Sequence, residues 1–319
     1  MMNIKEVRNE LLNEKYYDID HPSGLKILVM PKENYSSTYA IFATKYGSID
    51  TMIQMDDGTF KEIPEGTAHF LEHKLFESED LDAFERFAKT GASANAYTSF
   101  DRTGYLFSCS ANFKKNLEIL LDFVQNPYFT QATVEKEQGI IGQEIDMYKD
   151  APDWEVMFNC LRTMYHNLPV RIDIAGTQES IAQITAKTLY GCYDNFYNLH
   201  NMVLAVAGNV SVDEVIEVAD KALKPVEGKM AQRKLIDEPK EVLDSYVEEK
   251  LSVATPQFMF GFKESRDTPE RTTKEEISME ILLDMISGQS SELYKRLFDG
   301  KLINSSFGFE YFTGFGYSC

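Results

Sequence analysis

Two of the five histidines in this 319-residue chain, His69 and His73, stand four positions apart with Glu72 between them. They lie in Gly66-Thr67-Ala68-His69-Phe70-Leu71-Glu72-His73-Lys74-Leu75-Phe76. On a helix, residues three and four apart share a face, so both imidazoles and the carboxylate point the same way. Such a face can hold a divalent metal through the imidazoles, while the glutamate beside them takes a proton from water. The pattern His-x-x-Glu-His reverses the order of the helical signature of zinc peptidases. A surface helix with two incidental histidines would look the same in isolation, so a third ligand decides the matter.

Two helices must position these groups. The first is announced by Pro64-Glu65-Gly66-Thr67, a stop and a cap, and by the apolar stripe Ala68, Leu71, Leu75 and Phe76. The second runs from Thr133 to Tyr148, with Val134, Gln138, Ile141, Ile145 and Tyr148 on one stripe and Glu137 and Glu144 along its border. A carboxylate beside a buried stripe is costly unless a cation neutralises it, and a bound metal would do so. Either glutamate alone reads as a half-solvated surface residue; with the histidines, both become candidates for the metal site.

The whole chain has ordinary globular composition, 43% hydrophobic and 26% charged, and length enough for two cores. A formal charge of −19 argues against binding a phosphate backbone, which needs clustered Lys and Arg. Cys109, Cys160, Cys192 and Cys319 are scattered without a C-x-x-C pair, and read as reduced thiols. The first ten residues lack an apolar signal region, and no later run is long enough to span a bilayer, so a cytoplasmic location is expected.

Strands and helices interleave along the first two thirds. Residues 18–47 read as a hairpin, with Gly24 to Met30 as one strand, a turn at Pro31 to Tyr35, and Thr38 to Tyr46 returning beside it. A helical pattern at Leu81, Phe84 and Phe87 precedes the alternating run Gly91 to Phe100, and Thr103 to Ser110 forms another strand. Helices are expected at Phe113 to Val124 and Val212 to Leu223, and Val203 to Gly208 is strand-like. Residues 224–250 are charged and weakly patterned, and read as a linker. Beyond them the element order repeats: Phe258 to Phe262 stands for Ile41-Phe42-Ala43, a helix around Ile277 to Leu297 for the metal helix, and Phe309 to Cys319 for Tyr97 to Cys109.

His69-Phe70-Leu71-Glu72-His73, then Asn95-Ala96-Tyr97-Thr98, then Glu137 and Glu144 seven residues apart, resemble the pitrilysin or insulinase family of zinc metallopeptidases, which includes mitochondrial processing peptidase. The resemblance continues through Pro169-Val170, Gly176-Thr177, Phe196-Tyr197, Asn201-Met202 and Ala207-Gly208-Asn209, covering essentially the whole chain. Lys74-Leu75-Phe76-Glu77 and Asp101-Arg102-Thr103 are most similar to a bacterial two-domain, processing-peptidase-like branch. Some members of that branch are associated with modification of elongation factor P.

The resemblance implies an α+β fold of duplicated mixed α/β units, each a largely antiparallel sheet with helices packed on it. It implies a zinc-bearing peptidase domain at 1–230 and a metal-free homologous domain at 231–319, incomplete because it stops at Cys319 on a strand. One Zn2+ per chain is expected, with His69, His73 and Glu144 as ligands, Glu72 as general base and Glu137 behind a ligand histidine. Asn95 and Ala96 match the family's substrate-contact positions on a strand edge, where a peptide adds by main-chain hydrogen bonds. Trp154, Arg162 and Arg171 read as packing or pairing residues, and His21, His166 and His200 as surface or loop histidines.

In self-sufficient relatives the second half also donates an arginine and, seven residues on, a tyrosine. Phe298 and Asn304 fall near those positions here, and Arg296 reads as a solvated helix residue. The expected function is therefore a zinc metalloendopeptidase acting on short or unfolded peptides, completed by a metal-free homologous partner subunit or by a homodimer. The alternative is a zinc-stabilised scaffold, or an accessory protein in a modification complex of the elongation factor P type.

Overall fold

The inner strands of the sheet are short and apolar and bury alternate residues, the pattern of a sheet covered on one side. The structure, a computed structural model, describes residues 2–55, 57–228, 230–264 and 268–319. Strands β1 (Asn3–Asn9), β2 (Glu14–Asp20), β3 (Lys26–Pro31) and β4 (Thr38–Thr44) precede a small side ribbon, β5 (Met52–Gln54) with β6 (Phe60–Glu62). Helices α1 (Thr67–Leu75) and α2 (Ala83–Ala88) lead to β7 (Ser93–Thr98) and β8 (Thr103–Cys109), then to α3 (Phe113–Gln125), α4 (Gln131–Lys149) and α5 (Pro152–Met164). After α6 (Gln178–Ile181) and α7 (Ala186–Phe196) come β9 (Met202–Gly208) and α8 (Val212–Ala222).

The chain divides into two compact units, Met1–Asp150 with Ile172–Lys234, and Ala151–Arg171 with Leu235–Cys319. The first carries a seven-stranded sheet in the order β1-β2-β3-β9-β4-β8-β7. Only β3 with β9 is parallel; the other pairs are antiparallel. The register aligns Ile27, Leu204, Phe42, Tyr105 and Ala96 in one row and Val29, Val206, Ala40, Phe107 and Ala94 in the next. Helix α1 packs on β7 and β8, α3 on β4 and β8, and α8 on β3, so these rows form the core. Each fully buried aliphatic or aromatic side chain there contributes about 1.5–3 kcal/mol.

The expected hairpin of residues 18–47 is not formed. β9 lies between β3 and β4 and pairs with both, which the apolar run Met202 to Gly208 allows because it suits a central strand with a neighbour on each side. The N-terminal hairpin of β1 and β2 was not anticipated; its outer residues are polar and show little contrast between faces. His21 also departs from expectation. It is 7% exposed, with Nδ1 at 2.8 Å from Ser23 Oγ and Nε2 at 3.0 Å from Asp220 Oδ1.

In the second unit, α5 is followed by a 3-10 turn at Pro169–Arg171, and later by α9 (Thr273–Ser287), α10 (Glu292–Asp299) and the short antiparallel pair β10 (Thr313–Gly314) and β11 (Tyr317–Ser318). The helix expected around Ile277 to Leu297 is thus two helices, broken at Gly288. Phe258, Met259, Phe260 and Phe262 are exposed and form no strand; an extended apolar run becomes one only when a ladder partner is present. Arg162 pairs with Glu155, Arg171 donates to the His166 carbonyl, and Trp154 lies against Phe158, the packing roles expected.

The 224–250 stretch is anchored by specific bonds, those of two charged side chains among them. Within the first unit Arg233 clamps Asp50 with two hydrogen bonds of 2.7 and 2.9 Å. Within the second, Glu238 accepts from the backbone N–H groups of His166, Asn167 and Leu168 and pairs with Lys263. All four cysteines are free thiols. No helix among the described residues is long and apolar enough to cross a membrane. We expect Leu204→Ala, at the centre of the sheet, to lower the unfolding free energy by about 2–5 kcal/mol in urea denaturation, while Lys5→Ala on the exposed edge changes it by no more than about 0.5 kcal/mol.

Candidate metal centre

Helix α1 is a nine-residue segment in which eight residues are buried, His69, Glu72 and Lys74 among them. It starts at Gly66, whose φ of 83° favours glycine, and a side chain there would strike the Ala175 carbonyl. Gly176 answers from the other side, with a φ of 77° and the Glu65 carbonyl against it. Ser180 Oγ donates to that same carbonyl at 2.9 Å. The Gly176-Thr177 segment therefore fixes where the helix begins, and Pro64 and Thr67 complete the turn through the bond from the Thr67 hydroxyl to the Pro64 carbonyl.

Helix α4 packs against α1 and brings the third group. His69, His73 and Glu144 each offer one ligand atom, and these atoms lie within 4.8 Å of one another. His69 Nε2 is 3.7 Å from Glu144 Oε1, and His73 Nε2 is 3.5 Å from Glu144 Oε2. On its far side His73 Nδ1 donates to Glu137 Oε1 at 3.1 Å, since a carboxylate only accepts. That bond leaves the Nε2 lone pair for the cluster.

The electrostatics of the cluster suit a bound cation. Burial pushes the His69 pKa down to about 3, helped by the charge of His73, so His69 is a neutral imidazole with a lone pair to offer. For His73 burial pulls downward, but the bond to Glu137 and the charges of Glu72 and Glu144 outweigh it and raise the pKa. Burial likewise opposes the Glu137 charge, yet the hydrogen bond from His73 holds its carboxyl below the usual range. The carboxylates thus draw a proton onto His73 in the metal-free protein. A divalent cation can take that proton's place, and two imidazoles with one carboxylate are a donor set that suits zinc.

Glu72 stands beside the cluster. Burial raises its pKa, and Thr98 partly offsets this by donating its hydroxyl to Oε2 at 2.8 Å. Thr98 ends strand β7, and because side chains alternate it faces the helices together with Ala94 and Ala96. Asn95 is exposed on the opposite face, and its Oδ1 accepts from the Ala96 backbone N–H at 2.9 Å. Neither Asn95 nor Ala96 belongs to the metal cluster; both lie on β7, an edge strand of the sheet.

Two contacts were not anticipated as part of the site. Thr98 holds Glu72, and the Tyr148 hydroxyl donates to Glu144 Oε1 at 2.8 Å. The parity of Thr98 with Ala96, and the spacing of Tyr148 one helical turn after Glu144, are the signals that point to them. In the second unit Phe298 stacks on Tyr294, Arg296 is exposed, and Asn304 accepts from Ser306.

A reversed His-x-x-Glu-His helix completed by a glutamate on a distant helix, set on this mixed sheet, is the arrangement of one peptidase class. The family models agree: residues 49–178 match "Insulinase (Peptidase family M16)" and residues 183–318 match "Peptidase M16 inactive domain". The chain belongs to the insulinase family, M16. Among its relatives is "Uncharacterized zinc protease YmfH" of Bacillus subtilis, 44% identical over 98% of this chain and 75% of that protein. Bovine "Mitochondrial-processing peptidase subunit beta" is 37% identical over 48% of this chain and 32% of its own length. The crystal structure of an M16-like peptidase from Alicyclobacillus acidocaldarius superposes with a TM-score of 0.89 at 39% identity, over 99% of this chain and 73% of that one.

Histidine NMR of the metal-free protein tests the electrostatics. His69 should stay unprotonated until near pH 3, while His73 titrates above the ordinary value of ~6.5. The two have opposite linkage. The His73 contribution to stability is fully present below ~6.5 and is lost as pH rises through its raised pKa, whereas the depressed His69 pKa costs stability as pH falls below ~6.5. Glu137→Gln should lower the His73 pKa.

Proposed function

We propose that this chain is the metal-bearing part of a zinc-dependent endopeptidase that hydrolyses peptide bonds in short or unfolded peptides. The observation that carries the reading is the convergence of His69, His73 and Glu144 within 4.8 Å, with Glu72 on the same helix. His69, His73 and Glu144 would hold one zinc, which supplies Lewis acidity towards a peptide carbonyl and towards water. Glu137 keeps His73 in the ligating tautomer.

Glu72 is the general base. Thr98 occupies its Oε2, leaving Oε1 to take the proton from water and return it to the leaving amine nitrogen. Its raised pKa brings it closer to the working pH of such a proton carrier. The substrate would add as a strand along β7, past Asn95 and Ala96, and the bond from Ala96 N–H to Asn95 Oδ1 would give way to one with the peptide. Main-chain recognition of this kind needs an extended segment, which favours unstructured substrates.

A metal-free homologous partner, or a second copy, would complete the site. Phe298 and Asn304 stand near the places where an arginine and a tyrosine are expected, and the bovine relative is by name one subunit of a peptidase. A scaffold that keeps zinc for structure is the competing reading.

Glu72→Gln should reduce cleavage of a library of short unstructured peptides by about 10²–10⁴-fold with zinc still bound. Unaltered function in that variant would favour the scaffold. Mixing the chain with a purified metal-free homologue should raise cleavage sharply; full activity alone, with no gain on mixing, would remove the partner from the proposal.

A further inference from the structure

Each group at the metal centre has its own orienting arrangement. His73 is held by Glu137 through Nδ1, whereas the buried Nδ1 of His69 has no hydrogen-bond partner among the described residues, and the His69 ring sits edge-on against the His73 ring. Glu144 is the most mobile ligand by chemistry, a three-torsion side chain that must turn its carboxylate towards both imidazoles. Fixing such a side chain costs rotamer freedom, which something nearby has to offset.

Tyr148 is placed to do so. It sits one turn after Glu144 on α4, on the same face, and its ring packs against the hydrophobic core of the first unit. A tyrosine has only two side-chain torsions, and here the core fixes the ring. The hydroxyl meets Glu144 Oε1 at 2.8 Å, the oxygen that faces His69 Nε2. A hydroxyl donating to a carboxylate is a charge-assisted bond, stronger than one between neutral groups. A carboxylate can only accept, so the phenol hydroxyl is the donor in this bond.

We propose that Tyr148 is the positioning residue for Glu144, fixing its carboxylate towards the histidines and so setting how tightly the centre holds its metal. It acts through Glu144 and touches neither the metal nor the substrate. This rests on the zinc reading above, and makes for Glu144 the same provision that Glu137 makes for His73.

The test is zinc binding by the full chain, read by competition with a chromophoric chelator. Tyr148→Phe keeps the ring and removes the donor, and should raise the zinc Kd by about 10–100-fold, the usual effect of losing a group behind a ligand. In a Glu144→Ala background the further change Tyr148→Phe should leave Kd within about twofold, because the hydroxyl then has no ligand to orient. An unchanged Kd in Tyr148→Phe overturns the proposal, and so does an equal loss in both backgrounds, which would mean a general packing effect. If the parent chain binds no zinc that His69→Ala abolishes, the metal reading itself fails, an outcome distinct from either.

Discussion

Polar groups in α1 are buried almost to the same degree as its apolar ones, and this constraint governs everything around the centre. His69, Glu72 and Lys74 each have less than a tenth of their surface exposed. Taking such groups out of water is costly unless each finds a partner or neutralises. Lys74 pairs with Glu77, Glu72 takes the Thr98 hydroxyl, His73 takes Glu137, and His69 gives up its charge. What remains is an excess of acceptors at one point, contributed by two helices distant in sequence. The glycine crossing at Gly66 and Gly176 and the packing of α4 on α1 are the devices that hold these groups in place.

The candidate site was more legible in the sequence than the sheet. His69, Glu72, His73, Glu137 and Glu144 carry rare or charged side chains at helical spacings, so their types and intervals narrow the chemistry before any fold is known. Thr98 and Tyr148 carry little signal by type, and what they do depends on where a strand ends and which way one helix faces another. The pairing of β3 with β9 is invisible locally, because nothing near residue 30 reveals that a strand beginning at Met202 will enter beside it. Adjacent strands invite a hairpin reading; only the competition between strands for neighbours shows otherwise.

The second unit illustrates the same limit from the other direction. Phe258 to Phe262 has the composition of a strand, but composition cannot supply a ladder. The charged 224–250 stretch reads as linker on pattern alone, yet Arg233 and Glu238 anchor it through specific hydrogen bonds. Single charged residues in a weakly patterned segment give no periodic signal, so their partners emerge only in three dimensions.

The inserted central strand also orders events during synthesis. β1, β2 and β3 pair with near neighbours in the chain, as do β7 and β8, and β8 reaches back to β4. Those two half-sheets can assemble while the chain is still emerging from the ribosome. They cannot join until β9 arrives and zips β3 to β4, pairing residue 26 with residue 203. Loop-closure entropy makes such a joint slow to form, and the inner edges of both half-sheets stay open in the meantime. Until β9 is made, the facing edges of β3 and β4 have no ladder partner, and open edges of this kind invite wrong pairing.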